Sequence, residues 1–422
     1  MAEYQAMTRE ELEEELRVQQ AAFAAFQKKG LKLDMSRGKP SPEQLNLSDG
    51  MLDCREFKGE SGVDSRNYGN LEGMPEARAF FAEMLGSKTE EVFVGGNSSL
   101  NMMYCMVDLG ARLGYPGGKG SWLADKPKFL CPAPGYDRHF RVTEYLGFEL
   151  VTVPMLPTGP DMDMVEELVQ DERVKGIWCV PLYSNPDGYS YSDETVRRLA
   201  KMKTAASDFR IFWDNAYCVH HVREKHDVVL NILDECRAAG CENRPLMFCS
   251  LSKVTYPGAS VAAMAASKEN IDFILKNTFP MLISFDKMNQ MRHVWFLKDM
   301  KGVEAHMEKH RAIIEPKFDA VLEALENDLK PAGIARWTNP NGGYFLSLYT
   351  MNGCAKRTVE LCKQAGAVLT GAGASYPYGV DPDDSNIRIA PTYPSLDEIR
   401  QASELLCICV KIASLEKLLQ KV

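Results

Sequence analysis

Lys253 closes the tetrapeptide Ser250-Leu251-Ser252-Lys253, directly behind the apolar run 246–249 and ahead of another at 261–267. An amine between two buried runs is costly unless it has work to do, and an uncharged amine is a nucleophile. Four further apolar runs end in polar residues able to bind or activate. RIFW runs into Asp214, with Tyr217 three positions later. GIWCVP runs into LYSNPDG, a Pro/Gly turn that holds Asn185. VFVGG runs into Asn97-Ser98-Ser99 at the start of a helical period, and KFLCP into a loop carrying Tyr136.

Together these residues offer an amine, a carboxylate, two phenols, an amide and a hydroxyl-lined helix start. Pyridoxal 5'-phosphate needs such a set. An amine condenses with its aldehyde, and a carboxylate keeps the pyridine nitrogen protonated so that the ring accepts electrons. A phenol and an amide can hold the ring oxygen, and a helix N-terminus with serine hydroxyls can hold a phosphate. Each residue alone also has a plainer reading. Lys253 could be a solvated loop lysine, Asp214 a helix N-cap, Asn185 a turn residue, the Ser98-Ser99 turn a cap, and Tyr136 core packing. The joint occurrence at successive run ends favours the chemical reading, because in open α/β sheets ligands bind beyond the carboxyl ends of the strands.

The elements that must position these residues are legible as patterns. Thr8 and Glu11 predict a capping box for a helix ending near Gly30, with Leu12, Leu16, Phe23 and Phe26 on one stripe. Between about 75 and 270, seven short runs alternate with helical periods: 92–96, 128–132, 149–154, 176–181, 210–214, 246–250 and 261–267. Runs apolar on both faces and joined by helices imply a mostly parallel sheet covered on both sides. A helical stretch from about 304 to 327 leads into a smaller α/β unit. Its strands lie around 334–349, 366–370 and 386–391, with helices at 354–366 and 395–420. The expected organisation is an N-terminal helix and loop (1–45) packing with a small C-terminal domain (301–422), and a large domain at 46–300.

With these motifs in place, nearly the whole chain resembles the fold-type I, class I aminotransferases, in wording closest to a bacterial aspartate aminotransferase branch. SRGKPS (36–41) is similar to the family's N-terminal glycine loop, which puts Gly38 beside the substrate. RNYGNLEGMPEAR (66–78) resembles the segment whose tyrosine, here Tyr68, reaches the cofactor phosphate of the partner subunit. GGNSSL resembles the phosphate cradle, implying Ser98 and Ser99, and PGYDRHF implies Tyr136 stacked on the pyridine. YSNPDG and WDNAY imply Asn185 and Tyr217 at the ring oxygen and Asp214 at the ring nitrogen; SLSK implies covalent attachment at Lys253 with Ser250 and Ser252 near the phosphate. NIRIAP implies that Arg388 grips the substrate α-carboxylate.

The resemblance implies an α/β fold of type I, with a mostly parallel seven-stranded large-domain sheet and a smaller α/β domain. It also implies pyridoxal 5'-phosphate as cofactor, small amino and 2-oxo acids as partners, a homodimer and ping-pong transfer, with aspartate and 2-oxoglutarate as the expected pair. A dicarboxylate needs a second cation. Arg37 and Lys39 are expected first, then Arg292, with Lys287 in the same basic segment. One departure is that the family's phosphate-binding arginine after the lysine is missing; KVTYPGAS places Ser260 near that position.

Composition narrows the remaining classes. At 422 residues, 45% hydrophobic and 25% charged, the chain can bury a large core. A net charge of -9 without a Lys/Arg block argues against nucleic acid. Twelve scattered cysteines without a CxxC pair read as small buried hydrophobes in a reducing compartment, not as metal ligands. His306 and His310 are four apart but lack an HExxH glutamate, and are expected on a solvated helix face. The acidic, polar first residues read as neither signal nor transit peptide, and no apolar window is long enough for a membrane span, so cytoplasm is expected.

The alternatives are an aminotransferase for alanine or aromatic amino acids, or a same-fold lyase, decarboxylase or cyclopropane-forming synthase. A transcription regulator would need a basic winged helix where only about 45 residues precede the large domain. A nucleotide-binding enzyme is disfavoured because GAGASYPYG (371–379) lacks the third glycine of a dinucleotide loop.

Overall fold

The computed structural model describes residues 3–420. Its first long helix, Arg9–Lys28, begins at the expected capping box: the Glu11 N–H donates to Thr8 Oγ1 (3.3 Å) and the Thr8 N–H to Glu11 Oε2 (2.8 Å). Leu12 and Phe26 are buried, and Leu16 and Phe23 pack against the same cluster. This face lies along the last helix, Leu396–Leu419.

All seven apolar runs are strands of one sheet. The order across it is Val92–Val94, Ala262–Ala265, Pro245–Ser250, Arg210–Asp214, Val174–Cys179, Lys128–Ala133, Glu149–Leu156 and Gly159–Pro160. The last is an eighth strand that the sequence did not announce. It is two residues long and pairs antiparallel with Met155 and Leu156, and Gly-Pro carries no apolar periodicity. The middle strands are parallel, while Ala262–Ala265 runs against both neighbours. Alternate side chains enter two separate cores. Ile177, Ile211, Trp213, Met247 and Cys249 face one, and Trp178, Phe212, Leu246 and Phe248 the other. This two-sided burial is the physical origin of the near-continuous apolar runs.

A third core joins the N-terminal helix to the C-terminal third of the chain, with Leu12 and Phe26 beside Phe318, Val321, Leu346, Ile387 and Leu406. It covers an antiparallel sheet of Ala335–Trp337, Leu346–Thr350 and Asn386–Ile389. Leu33–Asp34 pairs parallel with Ala367–Val368, which ties the segment after the first helix to the same unit. The 29-residue helix Met300–Asp328 starts at Asp299, whose carboxylate accepts the Gly302 N–H (2.8 Å).

The structure corrects the reading of His306 and His310 as a solvated face. Both are buried, at 5% and 0% exposure. They fall on the buried stripe of that helix with Val303, Met307, Ile314 and Phe318, at the spacing of three and four that defines one helix face.

Candidate active site

The strand ends meet the loop after the first helix at a cavity of about 670 Å³. Asp214, last residue of Arg210–Asp214, and Lys253, in the turn after Pro245–Ser250, both line it. Asp214 is 3% exposed. Its Oδ2 lies 3.0 Å from His139 Nε2, while its Oδ1 is buried without a partner. His139 is itself buried, stacked flat on Trp178 with ring centroids 4.3 Å apart. His139 is not among the residues foreseen from the sequence. The signal was present in PGYDRHF, where it stands three residues beyond Tyr136 at the start of helix Asp137–Tyr145. Tyr136 packs edge-on against that imidazole at 4.9 Å, and burial pushes its phenol up to about 12.

Lys253 Nζ sits over the Tyr217 ring, 4.8 Å from its centroid. Burial holds the amine below the ordinary lysine range, with the charge of Asp214 opposing. Burial also pushes the Tyr217 phenol well up, so it remains a hydrogen-bond donor. Ser98 is the N-cap of the 15-residue helix Ser99–Leu113, its Oγ accepting the Asn101 N–H (3.3 Å). Ser98, Ser99, Ser250 and Ser252 line the same cavity, so the positive end of a helix dipole faces it among hydroxyls. Ser260, at the place of the family's arginine, is buried with Oγ 3.3 Å from the Val261 carbonyl and does not line the cavity.

Arg388 comes from the far side, on the strand Asn386–Ile389, and is 8% exposed. One Nη1 donates to Asp137 Oδ1 (3.1 Å) and Asn185 Oδ1 (3.3 Å), and Nη2 donates to Thr370 Oγ1 (3.1 Å). Its Nε is buried without a partner. The guanidinium lies over the Phe345 ring, 4.9 Å from the centroid. Phe345 also explains Gly38: a Cβ built there would collide with that ring, so only glycine lets the 36–39 loop pass so close.

Of the other cations, Arg37 is exposed and lines the cavity, as does Lys39, whose ammonium sits over the Tyr393 ring at 3.7 Å. Arg138 lines it too and was not foreseen. Lys287 and Arg292 do not line it; Lys287 is buried and donates to the Tyr68 carbonyl (3.2 Å). Tyr68 also lies outside the cavity, 80% exposed. Among the described residues no group of three or more His, Cys, Asp or Glu is arranged to hold a metal ion.

The donor set fits pyridoxal 5'-phosphate. A buried carboxylate oxygen without a partner suits a pyridinium N–H, a partly desolvated amine suits an aldehyde, and the helix start suits a phosphate. A buried guanidinium with two N–H groups left over, on Nε and Nη2, suits a carboxylate.

The family model described as aspartate amino-transferase matches residues 7–422. An aspartate aminotransferase of Corynebacterium glutamicum is 44% identical over 398 residues, covering 93% of this chain and 92% of that one. A crystal structure of an aspartate transaminase from the same species superposes with a TM-score of 0.96 at 42% identity, covering 99% of both chains. An α-aminoadipate aminotransferase from Thermus thermophilus shares the fold at a TM-score of 0.75 and 23% identity, covering 93% of this chain and 94% of that one.

Proposed function

The chain belongs to the aspartate amino-transferase family, and from that premise we propose that it moves the amino group of aspartate to 2-oxoglutarate by a ping-pong cycle. It is a pyridoxal-phosphate-dependent aminotransferase of fold type I, acting on small amino and 2-oxo acids. When bound, the cofactor supplies an aldehyde and an electron-accepting ring. The protein supplies the rest. Asp214, oriented by His139, would hold a proton at the ring nitrogen, and Tyr217 and Asn185 would hold the ring oxygen. Tyr136 would cover the ring, and Ser98, Ser99, Ser250 and Ser252 would hold the phosphate. Lys253 carries the cofactor and then moves the substrate Cα proton, a task that its burial-lowered basicity suits. Arg388 grips the α-carboxylate with a fork that is already held in place, so little entropy is lost on binding.

The observation that carries the dicarboxylate reading is that Arg37, Lys39 and Arg138 line the cavity in addition to Arg388. Arg37 is preferred for the side-chain carboxylate, because the Lys39 ammonium already rests on Tyr393. The test is kcat/KM for aspartate, alanine and phenylalanine with 2-oxoglutarate as acceptor. Aspartate is expected to lead by about 30-fold or more, and Arg37→Gln to remove most of that lead while leaving alanine unchanged; a lost contact of about 2 kcal/mol sets this scale. Equal rates with alanine or phenylalanine in the wild type overturn the assignment.

A homodimer belongs to the same proposal, with Tyr68 reaching the partner's cofactor phosphate. The support is the exposure of Tyr68, at 80%, alongside other exposed apolar side chains such as Leu52, Phe279, Met281 and Ile283. For the division into 1–45 with 301–422 against 46–300, the support is the core shared by the first helix and the C-terminal third. No helix among the described residues is long and apolar enough to cross a membrane. A cytoplasmic location is part of the reading, supported by buried thiols such as Cys131, Cys179 and Cys249.

A further inference from the structure

Gln44 lies in the five-residue helix Pro42–Asn46, is fully buried, and has no part in the site described above. Its side-chain oxygen is committed locally: Oε1 accepts the Ser41 N–H (3.0 Å) in a capping box. The amide nitrogen is thereby turned inward, and it has two hydrogens to give. One goes to Tyr344 Oη (3.0 Å) and the other to His310 Nδ1 (3.0 Å).

The rest of the network follows from these two donations. Tyr344, having accepted from Gln44, donates its own hydrogen to the Lys253 carbonyl (3.3 Å). His310, accepting at Nδ1, carries its proton on Nε2, which lies 3.2 Å from His306 Nε2. His306 Nε2 in turn lies 2.9 Å from the Val254 carbonyl and 3.3 Å from Ser48 Oγ. Burial holds His310 down at about 4 and lowers His306, so both stay neutral and the pattern of donors persists. One side chain thus fastens the Lys253 carbonyl through Tyr344 and meets the histidine pair that adjoins the next carbonyl of the same turn.

The segment that carries Gln44 also carries the loop at the cavity. Five residues before Gln44, Lys39 ends the Ser36–Lys39 loop that lines the cavity. Tyr344 is followed directly by Phe345, the ring against which Gly38 packs and over which Arg388 lies. The links span sequence separations of 266 and 300 residues, so they bring together the N-terminal segment, the long helix and the small sheet's approach loop.

The geometry points to Gln44 as a positioning residue: through Tyr344 it fixes the backbone of the Lys253 turn, with His310 as its second anchor, and sets that turn in register with the substrate loop. It touches neither substrate nor reacting atoms. The inference rests on Lys253 carrying the cofactor.

The experiment uses the holoenzyme and four variants: Gln44→Met, Tyr344→Phe, the double variant, and Ser41→Ala. Ser41→Ala removes the hydroxyl that caps the short helix but leaves the inward bonds of Gln44, so it reports the merely structural role. The readouts are the pH midpoint of the bound cofactor's visible absorbance, and kcat separately from KM for aspartate. Gln44→Met and Tyr344→Phe are each expected to move the midpoint by about 0.5 pH unit or more and to lower kcat about 10-fold. KM is expected to change less than kcat. The double variant is expected to match Gln44→Met, because both act through one chain of bonds. Ser41→Ala is expected to lower Tm without moving the midpoint.

The inference is overturned if the midpoint stays within about 0.1 unit and kcat within about twofold in Tyr344→Phe, if the two effects add, or if Ser41→Ala moves the midpoint equally. Should Gln44→Met not fold, Tyr344→Phe alone decides. Borohydride fixation of the cofactor in the wild type separates the two levels: a label on another lysine defeats the Lys253 assignment itself, whereas a label on Lys253 with unshifted variants defeats only the role of Gln44.

Discussion

Replacing Arg388 by lysine isolates the fork from the charge. Arg388 donates to Asp137, Asn185 and Thr370 and keeps Nε unpaired, so three contacts hold the guanidinium plane while two N–H groups, on Nε and Nη2, remain. Truncation would leave Asp137 facing an emptied site and would mix folding with function. Lysine keeps the charge beside Asp137 but cannot present two parallel N–H groups to a carboxylate. Losing one partner of a buried, hydrogen-bonded charge pair costs about 2–5 kcal/mol, and retention of the point charge places Arg388→Lys at the lower end. About 2 kcal/mol corresponds to a loss of about 30-fold in kcat/KM. The α-carboxylate is common to all amino acids, so the loss should be the same for aspartate and alanine, unlike that of Arg37→Gln. Steady-state kinetics with both donors, together with Tm and cofactor binding, make the measurement. If kcat/KM stays within about threefold of wild type, or falls for aspartate alone, Arg388 does not hold the α-carboxylate.

Two further outcomes follow from the same geometry. Asp187 is 1% exposed, accepts from Tyr349 Oη (2.7 Å), and is raised by burial from the ordinary 3.8 to about 6. Its protonated form stabilises the fold, fully below the unfolded value and progressively less as pH rises through 6, a difference worth about 3 kcal/mol at 1.36 kcal/mol per pH unit. Asp187→Asn should therefore raise Tm at pH 8 and lose that advantage toward pH 4; a pH-independent difference would refute the account. Tyr68→Ala and Lys253→Ala, each inactive, should together recover about a quarter of wild-type activity when unfolded and refolded as an equal mixture, because half the dimers are mixed and each of those keeps one intact site. No recovery above the separate variants would exclude a shared site.

The features legible along the chain are local. The seven strands were legible because burial on both faces leaves near-continuous apolar runs, and the first helix because Thr8 and Glu11 cap it within four residues. The polar residues at the strand ends were legible because chain direction alone puts them at one edge of the sheet. The tertiary structure decided which distant groups meet. His139 finds Asp214 across 75 residues, and Arg388 draws its partners from three separate segments. Nothing near Gln44 in the chain announces Tyr344 or His310. The burial of His306 and His310 was half written: their spacing matches the apolar stripe of their helix, but polar side chains fit a buried stripe only where partners wait, and those come from other parts of the chain. A side chain's intrinsic preference is set by its own chemistry, whereas the free energy of burying a polar group depends on the donor or acceptor opposite, which exists only once the fold has formed.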